Sequence, residues 1–299
     1  MNKLKIKSIN HVIYRDWMSF KKLFKIAIFP NLFDPILYLV AMGLGLGSFV
    51  GQVDGMPYLK FITLGLIAGT AMNASNNEST VNAYIQMHLD KTYYEMSTGP
   101  ISLPDIIVGQ AIWAGIRSVI FGTLFMLVAL LMGTISSFWA MLIPMVLFIT
   151  GTLFGFLGLA FTLMAPSRDY LNYYTMLVIQ PMFMFSNTFF PLSHVASWLK
   201  QVGWFSPLTH AVGLIRGLAD GNLSGQLANL VWLFVVLLII ALVPINLVEK
   251  SLFIKLMVVL VASNKSIGVG ISERLIYQRF FSEANIRFMN INDAKDSFG

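Results

Sequence analysis

The chain has no cysteine among its 299 residues, which excludes disulfides, thiolate zinc sites and cysteine-ligated iron–sulfur clusters and leaves the redox compartment unmarked. Charge is scarce as well. Only 11% of residues are Asp, Glu, Lys or Arg against 57% hydrophobic, and a mean hydropathy of +0.73 lies outside the balance of a soluble domain. Catalytic signatures are missing too: there is no H-E-x-x-H zinc helix, no G-x-S-x-G nucleophile elbow and no G-x-x-x-x-G-K-[ST] phosphate loop. An intramembrane enzyme is disfavoured on that ground, and no ATPase can be assigned to this polypeptide by motif. His194 and His210, the one histidine pair near in sequence, have no acid close to either.

What is present is long apolar sequence. A helix rising about 1.5 Å per residue needs roughly 20 apolar residues to cross about 30 Å of hydrocarbon. Six runs fit, at residues 30–50, 58–74, 103–132, 138–164, 173–190 and 227–248. The expected fold is an all-α membrane protein with six transmembrane helices, its membrane domain covering residues 30–250. The abundant Phe, Met and Gly suit helix packing in lipid and call for no cofactor.

A net charge of +6 suits nucleic acid or the basic cytoplasmic face of a membrane protein, and the positions of the charges favour the second. Lys3, Lys5, Lys7, Arg15, Lys21, Lys22 and Lys25 crowd the first 29 residues beside a single acid, Asp16. There Val12, Ile13, Trp17, Phe20, Phe24 and Ile28 recur at helical spacing opposite the lysines, which predicts an amphipathic helix in the headgroup plane, with a plain solvated helix as the alternative. The connections at 51–57 and 133–137 are short and poor in basic residues, whereas 75–102 and 165–172 carry Lys91 and Arg168. This places both termini and the latter two loops in the cytoplasm, with Lys60, Lys200 and Arg216 on the far side. Residues 251–299 read as a cytoplasmic tail of unassigned role.

Three places are candidates for function. Arg117 falls inside the third run, where an unpaired arginine costs roughly 2.5–3.5 kcal/mol. It either pairs or snorkels within the bundle or faces a transport path, and no acid in the spans is a clear partner. The loop 75–102 is too polar to be buried and too long for a turn. Residues 80–88 have helical spacing, Tyr93 and Tyr94 offer aromatic anchors, and Ser102, Pro104 and Asp105 open the next helix with capping chemistry. It is a docking site or a simple connector. Residues 191–221 are too apolar for an exposed loop. Val195, Trp198, Leu199 and Val202 form one stripe and Leu208, Val212 and Ile215 a second, with Ser206-Pro207 between them and Gly217 and Gly221 at the end. Two short helices of this kind predict a re-entrant or interfacial hairpin, serving as a gate or as a structural lid.

The order of these features resembles the ABC type-2 exporter permeases, and especially the nodulation-type lipooligosaccharide exporter branch. The resemblance is carried by SNTFFPLSHVASWLKQVGWFSPLTHAVGLIRGLADG at 186–221, PNLFDPILYLVAMGLGLGSF at 30–49 and YYEMSTGPISLPDIIVGQ at 93–110. It covers residues 10 to 250 approximately and says nothing of the tail. It implies a half-transporter of the bacterial inner membrane: two copies of a six-helix permease in membrane lipid, joined to two copies of an ABC ATPase subunit that holds ATP and Mg. It further implies a coupling element within 91–100, carried by Lys91, Tyr93, Tyr94, Glu95, Gly99 and Pro100. Phe190, Pro191, Trp198, Pro207, Thr209, His210 and Arg216 would belong to the extracytoplasmic hairpin or gate. The implied substrate is a glycolipid or oligosaccharide-like amphiphile. Exporters of hydrophobic drugs are the alternative within the family, and a non-transporting membrane scaffold is the alternative outside it.

Overall fold

The computed structural model describes residues 4–192 and 195–263, of which 249–263 are described in backbone alone. Ser193 and His194 of the expected hairpin, and the expected tail beyond residue 263, lie outside the described residues. The chain divides into two units, residues 1–248 and 249–299, and the helical bundle lies in the first.

Helix α1 (Ile6–Tyr38) continues through a π-helical stretch (Leu39–Leu46) into a short α2 (Gly47–Val50). The expected boundary at residue 29 is therefore absent. Pro30 and Pro35 sit inside one helix, since a proline removes a single backbone bond and bends a helix that packing holds together. Most of the expected apolar stripe packs on protein. Phe20 is buried against Trp113 and Phe121, and Ile13, Phe24 and Ile28 pack on the same cluster. At 33 residues α1 is about 50 Å long, so part of it must project beyond the hydrocarbon.

A two-stranded ribbon comes next, β1 (Gln52–Val53) paired antiparallel to β2 (Met56–Pro57). Its Asp54-Gly55 turn has positive φ at both residues, the backbone that Asp-Gly favours in tight hairpins. It leads into α3 (Tyr58–Asn77), sixteen of whose twenty residues are buried, so α3 is the axis of the molecule. The helix does not stop at residue 74. Two π-helical stretches, Glu78–Asn82 and Ile85–Leu89, carry it on to Leu89, and after a break at Asp90 and Lys91 comes α4 (Thr92–Thr98). No Gly or Pro occurs between residues 75 and 89 to end it sooner.

Helices α5 (Leu103–Leu131) and α6 (Ile143–Met164) pack on α3 through a seam of small residues. A Cβ on Gly155 would lie 3.0 Å from both Ala111 O and Ala114 Cβ, which shows how closely the two backbones approach. Hydroxyls bridge the seam: Ser118 Oγ donates to Ala71 O at 2.7 Å, and Thr162 Oγ1 to Ser79 O at 2.8 Å. In place of the expected fifth run at 173–190 stands a bulged helix made of α7 (Arg168–Tyr174), a π-helical stretch (Thr175–Ile179) and α8 (Gln180–Met184), which starts earlier and ends sooner. Then come α9 (Ser197–Phe205), α10 (Pro207–Asp220) and α11 (Gln226–Ser263).

Among the described residues, four helices are long and apolar enough to cross a membrane: Ile6–Gly43, Leu103–Leu131, Phe138–Met164 and Gln226–Val248. The expected second and fifth crossings do not reach that standard. Asn73, Asn76 and Asn77 dilute the end of α3, and the helix that holds the start of the fifth run is bulged, begins back at Arg168-Asp169 and ends at Met184.

Candidate functional site

Gln110, Trp113, Arg117 and Phe121 recur along one face of α5, opposite Asp16 and Phe20 of α1 and the continuation of α3. Where these three elements meet lies a cleft of about 690 Å³ lined by charged and aromatic side chains. Glu78 is its buried centre. It forms an ion pair with Arg117 and accepts hydrogen bonds from Asn82 Nδ2 at 2.6 Å and Trp113 Nε1 at 3.0 Å. The Arg117 guanidinium also lies 5.3 Å from the Phe20 ring and 5.5 Å from the Phe121 ring, so its charge is held by aromatic faces as well as by the acid.

Sequence reasoning missed this partner because it read residues 75–102 as lying outside the bundle. Ser75, Asn76, Glu78, Ser79 and Thr80 are all buried, and the hydroxyls of Ser75, Ser79 and Thr80 donate to helix backbone carbonyls. The uninterrupted helical sequence after Ala74 was the available signal. Beside Glu78, Gln110 Nε2 donates to Asp16 Oδ2 at 2.9 Å and to Gln86 Oε1 at 3.0 Å, and Arg15 donates to Gln86 Oε1 at 2.6 Å. One polar network thus ties α1, α5 and the end of α3 together.

Helix α4 closes the same end. Ser102 and Asp105 form the capping box the sequence suggests, and Asp105 Oδ1 also accepts from the Lys5 backbone N–H at 2.9 Å. The chain enters α4 through Lys91 in the left-handed region, at φ 52°. Tyr93 then turns inward onto Val12, Ile106 and Ile107. Burial, with the nearby charges of Asp16 and Glu78 adding to it, pushes its phenol pKa well above the ordinary value. Lys91, Tyr94, Glu95, Gly99 and Pro100 face outward, and Tyr94 is 69% exposed.

The other end of α3 carries the hairpin residues. Pro207 opens α10 at its first turn, and Gly221 ends it in the left-handed region, whereas Gly217 is interior. Ser206 occupies the N-cap without making the side-chain bond that such a residue usually supplies. Leu208, Val212 and Ile215 are fully buried. Arg216, expected in the far-side hairpin, is buried as well: it donates to Phe61 O at 2.9 Å and Asn187 O at 2.8 Å and lies 3.6 Å from the Phe61 ring. His210 stacks on Trp232 with centroids 4.1 Å apart, its two nitrogens meeting Asn229 Oδ1 and Trp204 O at 2.8 Å each. Thr209 Oγ1 donates to Gly203 O at 2.6 Å, joining α10 to α9. Helix α9 itself turns Trp198, Val202 and Phe205 outward, and Phe190 and Pro191 lie half-buried before it. Arg117 and Arg216 are therefore bound to opposite ends of α3, on the order of 25 Å apart along its axis. Among the described residues no three His, Asp or Glu side chains are grouped to hold a metal ion.

Long apolar helices, with buried arginines bonded inside the bundle and short helices closing both ends, define an integral membrane protein. Residues 7–219 match the family model described as ABC-2 type transporter, and the chain belongs to that family. It is similar to Nodulation protein J of Rhizobium leguminosarum bv. viciae, at 37% identity over 203 residues, 68% of this chain and 78% of that protein. Nodulation protein J of Sinorhizobium fredii (strain NBRC 101917 / NGR234) is 34% identical over 68% of this chain and 77% of its own length. The inner membrane transport permease YadH of Escherichia coli K12 is 22% identical over 77% of this chain and 85% of its own. The chain is thus an integral inner-membrane protein, the membrane subunit of an ABC transporter whose ATPase is a separate subunit.

Proposed function

We propose that this chain is the permease half of an exporter that moves a glycolipid or oligosaccharide-like amphiphile out of the cytoplasm or the inner leaflet. A second copy of the chain completes the path, and two ATPase subunits bind ATP and Mg. The observation that carries the reading is α4: a short helix anchored from inside by Tyr93, with Tyr94, Glu95 and Lys91 presented outward beside the charged cleft. A helix anchored on one side and bare on the other suits an element that a motor domain pushes. The lipooligosaccharide branch of the resemblance and the likeness to proteins named Nodulation protein J support the substrate class.

Contacts at the two ends of α3 support six crossings. Lys60 pairs with Asp220 and donates to Ser136 Oγ at 3.2 Å, and Tyr58 donates to Phe189 O at 3.1 Å, which gathers one set of connections. Val12, Tyr93, Ile106 and Val248 share a cluster at the other end. By charge this second end is cytoplasmic and holds both termini, and the 191–221 hairpin lies outside.

The test is co-purification of the detergent-solubilised chain with an ABC ATPase. Tyr94→Ala with Glu95→Ala is expected to release the ATPase while membrane insertion is retained. Tyr93 is unsuited to this test because its removal would open the core. Undiminished association of the double variant would remove α4 from the interface, and a chain that binds no ATPase under any condition would end the reading.

A further inference from the structure

A second cleft, of about 240 Å³, lies along α3 between the middle of α1 and the bulged helix of α7 and α8. It shares Asn31 and Asn77 with the charged cleft, so the two adjoin on one side of α3. Their chemistry differs. The first is lined by Arg15, Asp16, Glu78 and Arg117, whereas the second carries one acid, Asp34, and is otherwise lined on its polar side by amides and hydroxyls, among them Asn31, Asn73, Asn76, Asn77, Thr175 and Gln180. Asn73, Asn76 and Asn77 stand at the spacing that puts three side chains on one helix face. Asparagine is a poor helix former, and amides inside a membrane bundle are unfavourable unless they are bonded, so packing does not account for this row.

One amide lacks a partner. Asn76 is 2% exposed and lines the cleft, and its Nδ2 reaches Thr175 Oγ1 at 3.4 Å while its Oδ1 accepts nothing. Buried polar groups are normally bonded, and an unmet acceptor on a residue that lines a cleft is one that a donor on a bound ligand would satisfy. Tyr38 and Phe183, edge to face with centroids 6.3 Å apart, line the same cleft and give it an apolar surface. A sugar ring carries hydroxyls at its rim, each both donor and acceptor, and C–H groups on its faces. Amides meet the first and aromatic rings the second. A hydrophobic drug would strip water from these amides and return no hydrogen bonds. The cleft is also smaller than the roughly 300–1,000 Å³ of sites that enclose a whole drug-sized ligand, which suits one portion of a larger substrate.

We infer that this asparagine-lined cleft is a binding subsite for a neutral saccharide unit of the exported amphiphile. The inference rests on the exporter reading above and deepens it. It is tested on the full chain with its ATPase in nanodiscs, using an alkyl maltoside that carries a photoreactive diazirine on the sugar. Labelling is expected within residues 31–38, 70–77 or 175–183, with competition by unlabelled alkyl maltoside and none by an alkyl phosphocholine of equal chain length. Asn76→Leu is expected to reduce labelling about tenfold, and so is Asn73→Leu, which is half-buried and safer for folding. Label elsewhere, equal competition by the phosphocholine, competition by a hydrophobic cation such as tetraphenylphosphonium alone, or an unchanged Asn73→Leu chain would each overturn the subsite. The same preparations are scored for ATPase retention. A retained ATPase without sugar-specific label rejects the subsite alone, and a lost ATPase rejects the exporter reading.

Discussion

Arg117 shows how one residue's place in a membrane protein is decided by a partner far away in sequence. Alone inside the bundle its guanidinium would be unfavourable by several kcal/mol, and Glu78, two phenylalanine rings and a buried setting make it tolerable. Such a pair contributes little net stability compared with apolar replacements, yet removing one member leaves the other charge buried and unmet. Glu78→Gln, and separately Arg117→Met, should therefore each destabilise the chain by about 3–5 kcal/mol. The double variant should recover most of that loss. Unfolding midpoints of the four chains in a detergent titration check this as a double-mutant cycle, and strictly additive losses would mean that the two residues do not act as a pair. Arg216 differs in kind. Its donors go to two backbone carbonyls rather than to an acid, so its part is to tie α10 to α3 and the 185–190 segment.

Among the elements, the end of α3 and its continuation to Leu89 were read as a loop, and the reason is physical. Hydropathy locates helices that face lipid, because only lipid demands an apolar surface all round. A helix enclosed by other helices can carry Ser, Thr, Asn and Glu as long as each finds a partner, and α3 is enclosed almost completely. The bounds of α5 and α6 and the start of α11 were legible to within a few residues, because these helices are apolar along their length. The stripes of α10 were legible because an amphipathic period survives when one face alone is buried. Partners such as Glu78 for Arg117, or Phe61 O for Arg216, were not, since no local pattern encodes a contact across dozens of residues. The α5–α6 seam yields a prediction at this scale. A Cβ on Gly151 would meet the side chain of Ser118 and come within 3.1 Å of Gly115 Cα, with no flexible chain end to yield. Gly151→Val should lower stability by about 1–3 kcal/mol through overpacking. Gly155→Ala, which needs a shift of only a few tenths of an ångström, should cost less. Thermal unfolding in detergent ranks the two, and the reverse order would mean that the backbones are further apart than the structure places them.

For the whole molecule, the contacts at the two ends of α3 turn the charge pattern into a testable topology. The 51–57 ribbon, Ser136 and Asp220 gather at one end, and Lys5, Asp105 and α4 at the other. If α3 crosses the bilayer, these groups face opposite compartments, and the excess of lysine near α1 predicts that the second is the cytoplasm. The lack of cysteine makes this direct to examine, because any thiol introduced is the only one present. Gln52→Cys and Leu223→Cys, both exposed, should react with a membrane-impermeant maleimide added to intact spheroplasts. Thr98→Cys, exposed at the end of α4, should react only after the membrane is opened. Labelling of Gln52→Cys and Thr98→Cys from the same side would show that α3 does not span, and the six-crossing topology would fall with it. Labelling of Thr98→Cys alone from outside would keep the crossings and invert the orientation, which would put α4 out of reach of any cytoplasmic ATPase.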